Sequence, residues 1–193
     1  VREFDLITKS FVDDGFVLPE SKSDVSWIDR DHLYVGMAFD STTITTSGYP
    51  RVIREWTRGT PLSQASLVYE GQASDVASGA GRDHTPGFER DFVSRGITFY
   101  TNELFLRRAG KLVRIDKPDD ANANVWREWL LVRLRTPWTV GGKTYPGGAL
   151  VAARFDDFLA RKRDLQVLVA PTPRTPLASR ANTTPARLIG GPD

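Results

Sequence analysis

The chain has 193 residues, 40% hydrophobic and 26% charged, which is enough to bury the core of one domain or part of one. No run of about eighteen apolar residues occurs, so no membrane span is expected, and the absence of cysteine excludes disulfides, thiol catalysis and cysteine-bound zinc. The net charge is only +2, with Lys and Arg interleaved among Asp and Glu. Nucleic-acid binding asks for basic residues gathered on one face, so no nucleic-acid partner is expected.

Val1 stands where an initiator Met would, and no signal peptide opens the chain. The expectation is a start lying upstream and a soluble protein whose compartment, cytoplasmic or periplasmic, stays open. Residues 1–12 read as a hairpin, with Arg2 to Leu6 facing Lys9 to Val12. Asp13-Asp14-Gly15 is a turn signal. A strand then begins at Ser23-Asp24-Val25-Ser26-Trp27-Ile28-Asp29, and after a turn a second runs from His32 to Phe39. In that second strand Leu33, Val35, Met37 and Phe39 share one face and His32, Tyr34, Gly36 and Ala38 the other. Both faces are mostly apolar, as a strand sandwiched between neighbouring sheets requires. A polar loop over 40–50 leads to strands at 51–58 and 66–70.

The next unit opens at 73–77 and carries an irregular insert over 78–90, rich in Gly, before strands at 91–100, 103–108 and 111–116. Ala109-Gly110 joins the last two as a hairpin turn. Strands follow at 124–129, 130–136, 148–154 and 165–169. Between the last two, Phe155, Phe158 and Leu159 at i, i+3, i+4 predict a helix of about ten residues, acidic at its start and basic at its end. From Pro171 to Asp193 aromatics vanish and prolines multiply, so a disordered tail is expected.

The strand pattern repeats. Val25, Val76 and Val125 open comparable segments 51 and 49 residues apart. Four short strands in about fifty residues is the signature of a β-propeller blade. The expected fold is therefore all-β: about three to four blades in an incomplete ring, with one short helix. The units fall near 1–22, 23–72, 73–120 and 121–170, and 171–193 forms the tail.

The search for chemistry is mostly negative. No Gly-x-Ser-x-Gly nucleophile elbow occurs; the nearest string, Ser78-Gly79-Ala80-Gly81, has the wrong spacing. His32 sits beside Asp31 at a turn. His32 and His84, 52 residues apart, offer no metal-ligand spacing. The adjacent pairs Asp119-Asp120 and Asp156-Asp157 suit solvent, and Gly142-Lys143-Thr144 lacks the rest of a phosphate loop. No catalytic residue, metal or cofactor is assigned. The most suggestive segment runs from Arg82 to Asp91, with His84, Phe88 and Arg90 among acidic residues in one loop. It reads either as a salt-bridged loop fixing blade packing or as a functional face presenting Arg82, His84 and Arg90 to substrate or to an interface. The five tryptophans suit a groove or a core; Trp27 and Trp126 recur at similar places in the repeat, which favours core packing.

Three separated segments carry a family resemblance. Gly48-Tyr49-Pro50-Arg51-Val52-Ile53-Arg54-Glu55-Trp56-Thr57-Arg58-Gly59-Thr60-Pro61-Leu62, Arg82 to Phe92, and Trp138-Thr139-Val140-Gly141-Gly142-Lys143-Thr144-Tyr145-Pro146-Gly147-Gly148 resemble, in order, the propeller of bacterial prolyl-oligopeptidase-family serine peptidases. The resemblance covers about residues 1–177. It implies a parent with a seven-bladed propeller and an α/β-hydrolase domain bearing Ser, Asp and His, the propeller restricting entry to short peptides. This chain would then be the non-catalytic, substrate-gating part, with the hydrolase domain of the same parent chain and short peptides as partners. Two other readings stay open: a stand-alone propeller-type module binding a peptide or protein, and a metal-dependent or unrelated hydrolase centred on His84.

Overall fold

The computed structural model describes residues 1–172; the disorder expected of the tail beyond Thr172 lies outside the described residues. The fold is the expected all-β architecture, a partial propeller with one short helix. A hairpin of β1 (Phe4–Asp5) and β2 (Ser10–Phe11) comes first, its register pairing Phe4 with Phe11. Three four-stranded sheets follow, each antiparallel throughout. The first contains β3 (Ser23–Asp29), β4 (His32–Met37), β5 (Val52–Thr57) and β6 (Ser66–Glu70), hydrogen-bonded in chain order. The second contains β7 (Ala77–Asp83), β8 (Arg90–Gly96), β9 (Asn102–Arg108) and β10 (Lys111–Arg114), again in chain order.

The third sheet is interrupted. After β11 (Asn122–Trp126) and β12 (Trp129–Arg133), a small hairpin of β13 (Trp138–Val140) and β14 (Lys143–Tyr145) intervenes. The sheet then resumes with β15 (Leu150–Arg154) and, after the helix α1 (Phe155–Leu159), ends with β16 (Gln166–Val169). Gly141 and Gly142, with φ of 59° and 74°, form the two-residue turn of that hairpin rather than any phosphate loop. Its strands are only three residues long, too short for alternation to reveal.

The core explains why both faces of β4 are apolar. Leu33, Val35 and Met37 pack with Phe16, Leu18 and Trp56 on one side. Tyr34 packs with Ile28 and Ile53 on the other, against Ala80 of the second sheet. A third cluster seals the second sheet to the third, joining Leu106 and Ile115 to Leu130, Val132, Val151 and Phe155. Burial of such side chains contributes roughly 1.5–3 kcal/mol each and is the main force holding sheet to sheet.

Two local expectations are corrected. Residues 78–90 are not an irregular insert: 77–83 is strand β7, and only 84–89 is loop. Its glycines, usually poor in strands, lie beside the neighbouring strand β3, and Gly79 is the tight one. A methyl group at Gly79 would fall 2.9 Å from Asp24 Oδ2 on the neighbouring β3. The helix is half the expected length. Ala160 closes it, and Arg161 has φ of 63°, so the basic residues fall outside it. Arg163 still folds back, donating from Nη1 to the Phe158 carbonyl at 2.8 Å over the Phe158 ring.

Candidate functional site

The segment from Arg82 to Asp91 is the tip of the β7–β8 hairpin. Register pairs Arg82 with Asp91 and Asp83 with Arg90. Across the first pair Arg82 Nη1 donates to Asp91 Oδ2 at 3.0 Å. The loop is set by Asp83, whose Oδ1 accepts from the Thr85 amide at 2.9 Å and the Thr85 hydroxyl at 2.6 Å. Gly87, at φ 80°, supplies the left-handed residue that returns the chain.

The three candidate residues share this hairpin but point to three places. Arg82 is spent within it. His84 Nε2 lies 3.0 Å from the Trp27 carbonyl of β3; a carbonyl only accepts, so Nε2 carries the proton. Arg90 reaches the other way, donating from Nη1 to the carbonyl of Arg127 in the β11–β12 turn. Its guanidinium also lies 5.0 Å from the Phe155 ring centroid and 5.5 Å from that of Phe88. The hairpin thus fastens the second sheet to both neighbours.

Other ties of this kind carry no sequence signal. Arg107 of β9 donates to Tyr34 Oη at 2.9 Å and to Glu55 Oε2 at 2.6 Å, across the first seam. Burial pushes the Tyr34 hydroxyl up to about 12, so it stays a neutral acceptor for Arg107. Arg58 grips Glu3 bidentately at 2.8 and 3.0 Å, joining the first sheet to the N-terminal segment. The partners lie 73 and 55 residues apart, so no local spacing announces them.

Trp27 and Trp126 correct another expectation. They are 44% and 50% exposed, not core. Each sits near the end of an edge strand, β3 or β11, where protein covers only part of the ring. Trp27 meets Phe16 edge-on at 5.7 Å, while Trp126 lines a cavity of about 320 Å³ with Asp83, Thr85, Phe92, Leu104 and Val125. A wider groove of about 660 Å³ runs beside β3 and β7, lined by Asp24, Tyr49, Ser78, Gly79 and Ser94 among others.

Among the described residues no nucleophile is assembled. His32 Nδ1 is held 2.8 Å from Asp29 Oδ1 at the β3–β4 turn. The Asp29 carboxyl lies below its ordinary value, first through the Asp31 amide and then through His32. Neither histidine meets a serine hydroxyl among the described residues. Among them no three acidic or histidine side chains converge as a metal site either.

No family model matches the chain. By sequence it is similar to an uncharacterised peptidase of Sinorhizobium fredii, 32% identical over 177 residues, covering 88% of this chain and 24% of that protein. An uncharacterised peptidase of Rickettsia prowazekii is 26% identical over 189 residues, covering 89% of this chain and 26% of the relative. Among solved structures, a post-proline cleaving enzyme from Rickettsia typhi matches with a TM-score of 0.80 and 28% identity, over 89% of this chain and 27% of that one. A prolyl endopeptidase structure matches with a TM-score of 0.60 at 16% identity, which speaks to fold alone. The chain spans about a quarter of the length of the relatives it matches.

Proposed function

We propose that this chain, which is a propeller region related along nearly its whole length to prolyl-oligopeptidase-family peptidases, serves as the non-catalytic, substrate-gating part of such a peptidase acting on short peptides. The observation that carries this reading is the combination of match and extent: the likeness to a post-proline cleaving enzyme covers 89% of this chain but only 27% of that enzyme. The catalytic α/β-hydrolase domain belongs, on this reading, to the remainder of the parent. The physical role follows from the sheets. Seams locked by buried side chains and arginine ties give walls that do not yield, and rigid walls admit extended peptides while refusing folded chains. The loop bearing Arg82, His84 and Arg90 contributes to gating by fixing the angle between sheets and by presenting the exposed His84 beside the half-buried Arg90.

Peptide retention tests the reading. A short proline-containing peptide titrated into the purified chain should quench or shift tryptophan fluorescence, Trp27 and Trp126 being half exposed. Mass spectrometry should recover the peptide intact. Recovery of cleaved peptide would contradict the non-catalytic role, and loss of signal only with folded proteins would contradict the gate.

A further inference from the structure

The two turns that carry the chain from sheet to sheet lie at the same end of the second sheet. Residues 71–76 enter β7 there, and residues 115–121 leave β10 for β11. Between them runs an unbroken file of alternating charges. In the entering turn Asp75 is 1% exposed. Its carboxylate accepts from the Gln72 amide at 2.6 Å, from Arg95 Nε at 2.8 Å and from Arg95 Nη2 at 2.9 Å. Arg95 of β8 gives its remaining nitrogen, Nη1, to Glu103 Oε2 of β9 at 3.1 Å. The other oxygen of Glu103 lies 2.9 Å from Arg114 Nε of β10, and Arg114 Nη2 donates to Asp119 Oδ1 of the leaving turn at 2.6 Å.

Each inner member of the file is shared. Arg95 divides its nitrogens between Asp75 and Glu103, and Glu103 divides its oxygens between Arg95 and Arg114. Neither can turn fully to one neighbour without leaving the other. Burial pushes the Asp75 carboxyl up, but Arg95 and the Gln72 amide outweigh it and hold it below its ordinary value, so it is charged. The leaving turn is pinned in the same place. The Asn102 amide donates to the Asp119 carbonyl at 2.7 Å, and buried Lys117 donates from Nζ to the Asn102 carbonyl at 2.8 Å. A lone buried ion pair adds little net stability, because desolvation offsets its attraction. Charges that position and polarise one another amount to more than a sum of pairs. The opposite end of the sheet is built differently: His84 and Arg90 reach separate carbonyls there and share no partner.

We infer that the file Asp75–Arg95–Glu103–Arg114–Asp119 is a conformational brace that couples the two seams, so that loosening the entering turn loosens the leaving turn and the reverse. Coupling of this kind is reciprocal by thermodynamic necessity. It holds whether or not the chain gates peptides, since only its own side chains enter. On the gating reading it makes the three sheets keep or lose their angles together, and the wall yields as one piece or not at all.

The test uses the full chain and native-state hydrogen exchange of single backbone amides, which reports local opening. The Gln72 amide, bound to Asp75, probes the entering turn; the Asn102 amide, bound to the Asp119 carbonyl, probes the leaving turn. The Thr85 amide, held by Asp83 at the opposite end of the sheet, is the reference. Arg114→Gln removes a half-exposed member that touches neither Gln72 nor Asp75. It should speed exchange at Gln72 by at least about fivefold, within the range of couplings inside one ion-pair network, and leave Thr85 unchanged. Asp75→Asn should do the same to Asn102; should that variant fail to fold, Arg114→Gln decides alone. Asp116→Asn breaks a pair with Arg163 in the leaving turn but off the file, and should leave Gln72 unchanged. An unchanged Gln72 in Arg114→Gln would make the pairs independent and overturn the brace. Equal acceleration at Thr85, or an equal response of Gln72 to Asp116→Asn, would assign the effect to general loss of stability and overturn it too. None of these failures touches the gating reading, which peptide retention tests separately.

Discussion

The second sheet, β7–β10, and the N-terminal hairpin, β1–β2, are both antiparallel and meet opposite fates. The sheet has a neighbour on each side. Val93 at its centre is fully buried, Arg107 and His84 tie it to the first sheet, and Arg90 ties it to the third. The hairpin has a neighbour on one side only, and Leu6, Ile7 and Phe11 are 83%, 93% and 50% exposed. Strand content is thus not what stabilises a propeller piece. Each sheet must bury both faces, and one that buries a single face leaves apolar surface to water.

The largest expected break of this contrast is at the second seam. Phe155 is fully buried, packs 6.1 Å from Phe92 across the seam, and carries the Arg90 guanidinium on its ring. Phe155→Ala should cost about 3–5 kcal/mol in chemical denaturation. At the first seam, Arg107→Ala strips a partner from both Tyr34 and Glu55 and should cost about 2–3 kcal/mol.

The connection between the second and third sheets gives a pH signature. Lys117 is buried there, donating to the Asn102 and Pro118 carbonyls at 2.8 and 3.1 Å, and burial lowers its pKa from 10.5 to about 8. Below pH 8 it is charged in both the folded and unfolded chains, and the full burial cost applies. Between about 8 and 10.5 the unfolded chain holds more protons, so its contribution to stability should rise with pH, by about 3 kcal/mol. Comparing thermal unfolding of the wild type and Lys117→Met across that range isolates the effect; a flat difference would contradict it. The smallest effect belongs to the hairpin. Ile7→Ser should change stability by less than about 0.5 kcal/mol, yet reduce self-association by light scattering.

Much of this was legible in the sequence, for definite reasons. β4 announced two buried faces because apolar residues occupy both of its alternating sets, and the first hairpin because Arg2 to Leu6 and Lys9 to Val12 face each other across Ile7-Thr8. β7 did not, because Gly79 and Gly81 contradict strand propensity; Gly79 lies tight against Asp24, 55 residues earlier, and Gly81 in ordinary contact with Ser26. Trp27 and Trp126 misled because recurrence within a repeat marks equivalent places, and an equivalent place on an edge strand is half exposed. The loop from Arg82 to Asp91 stood out as a concentration of charge. Its division into one internal pair and two ties to opposite neighbours was fixed by Trp27 and Arg127, which no spacing connects to it.

The central claim is that this chain forms a wall of a peptidase without its chemistry. The most direct measurement incubates the purified chain with a proline-containing chromogenic peptide and, in parallel, with a serine-directed phosphonate. The account predicts no turnover and no covalent label; turnover that disappears as the phosphonate attaches to a serine of this chain would contradict it.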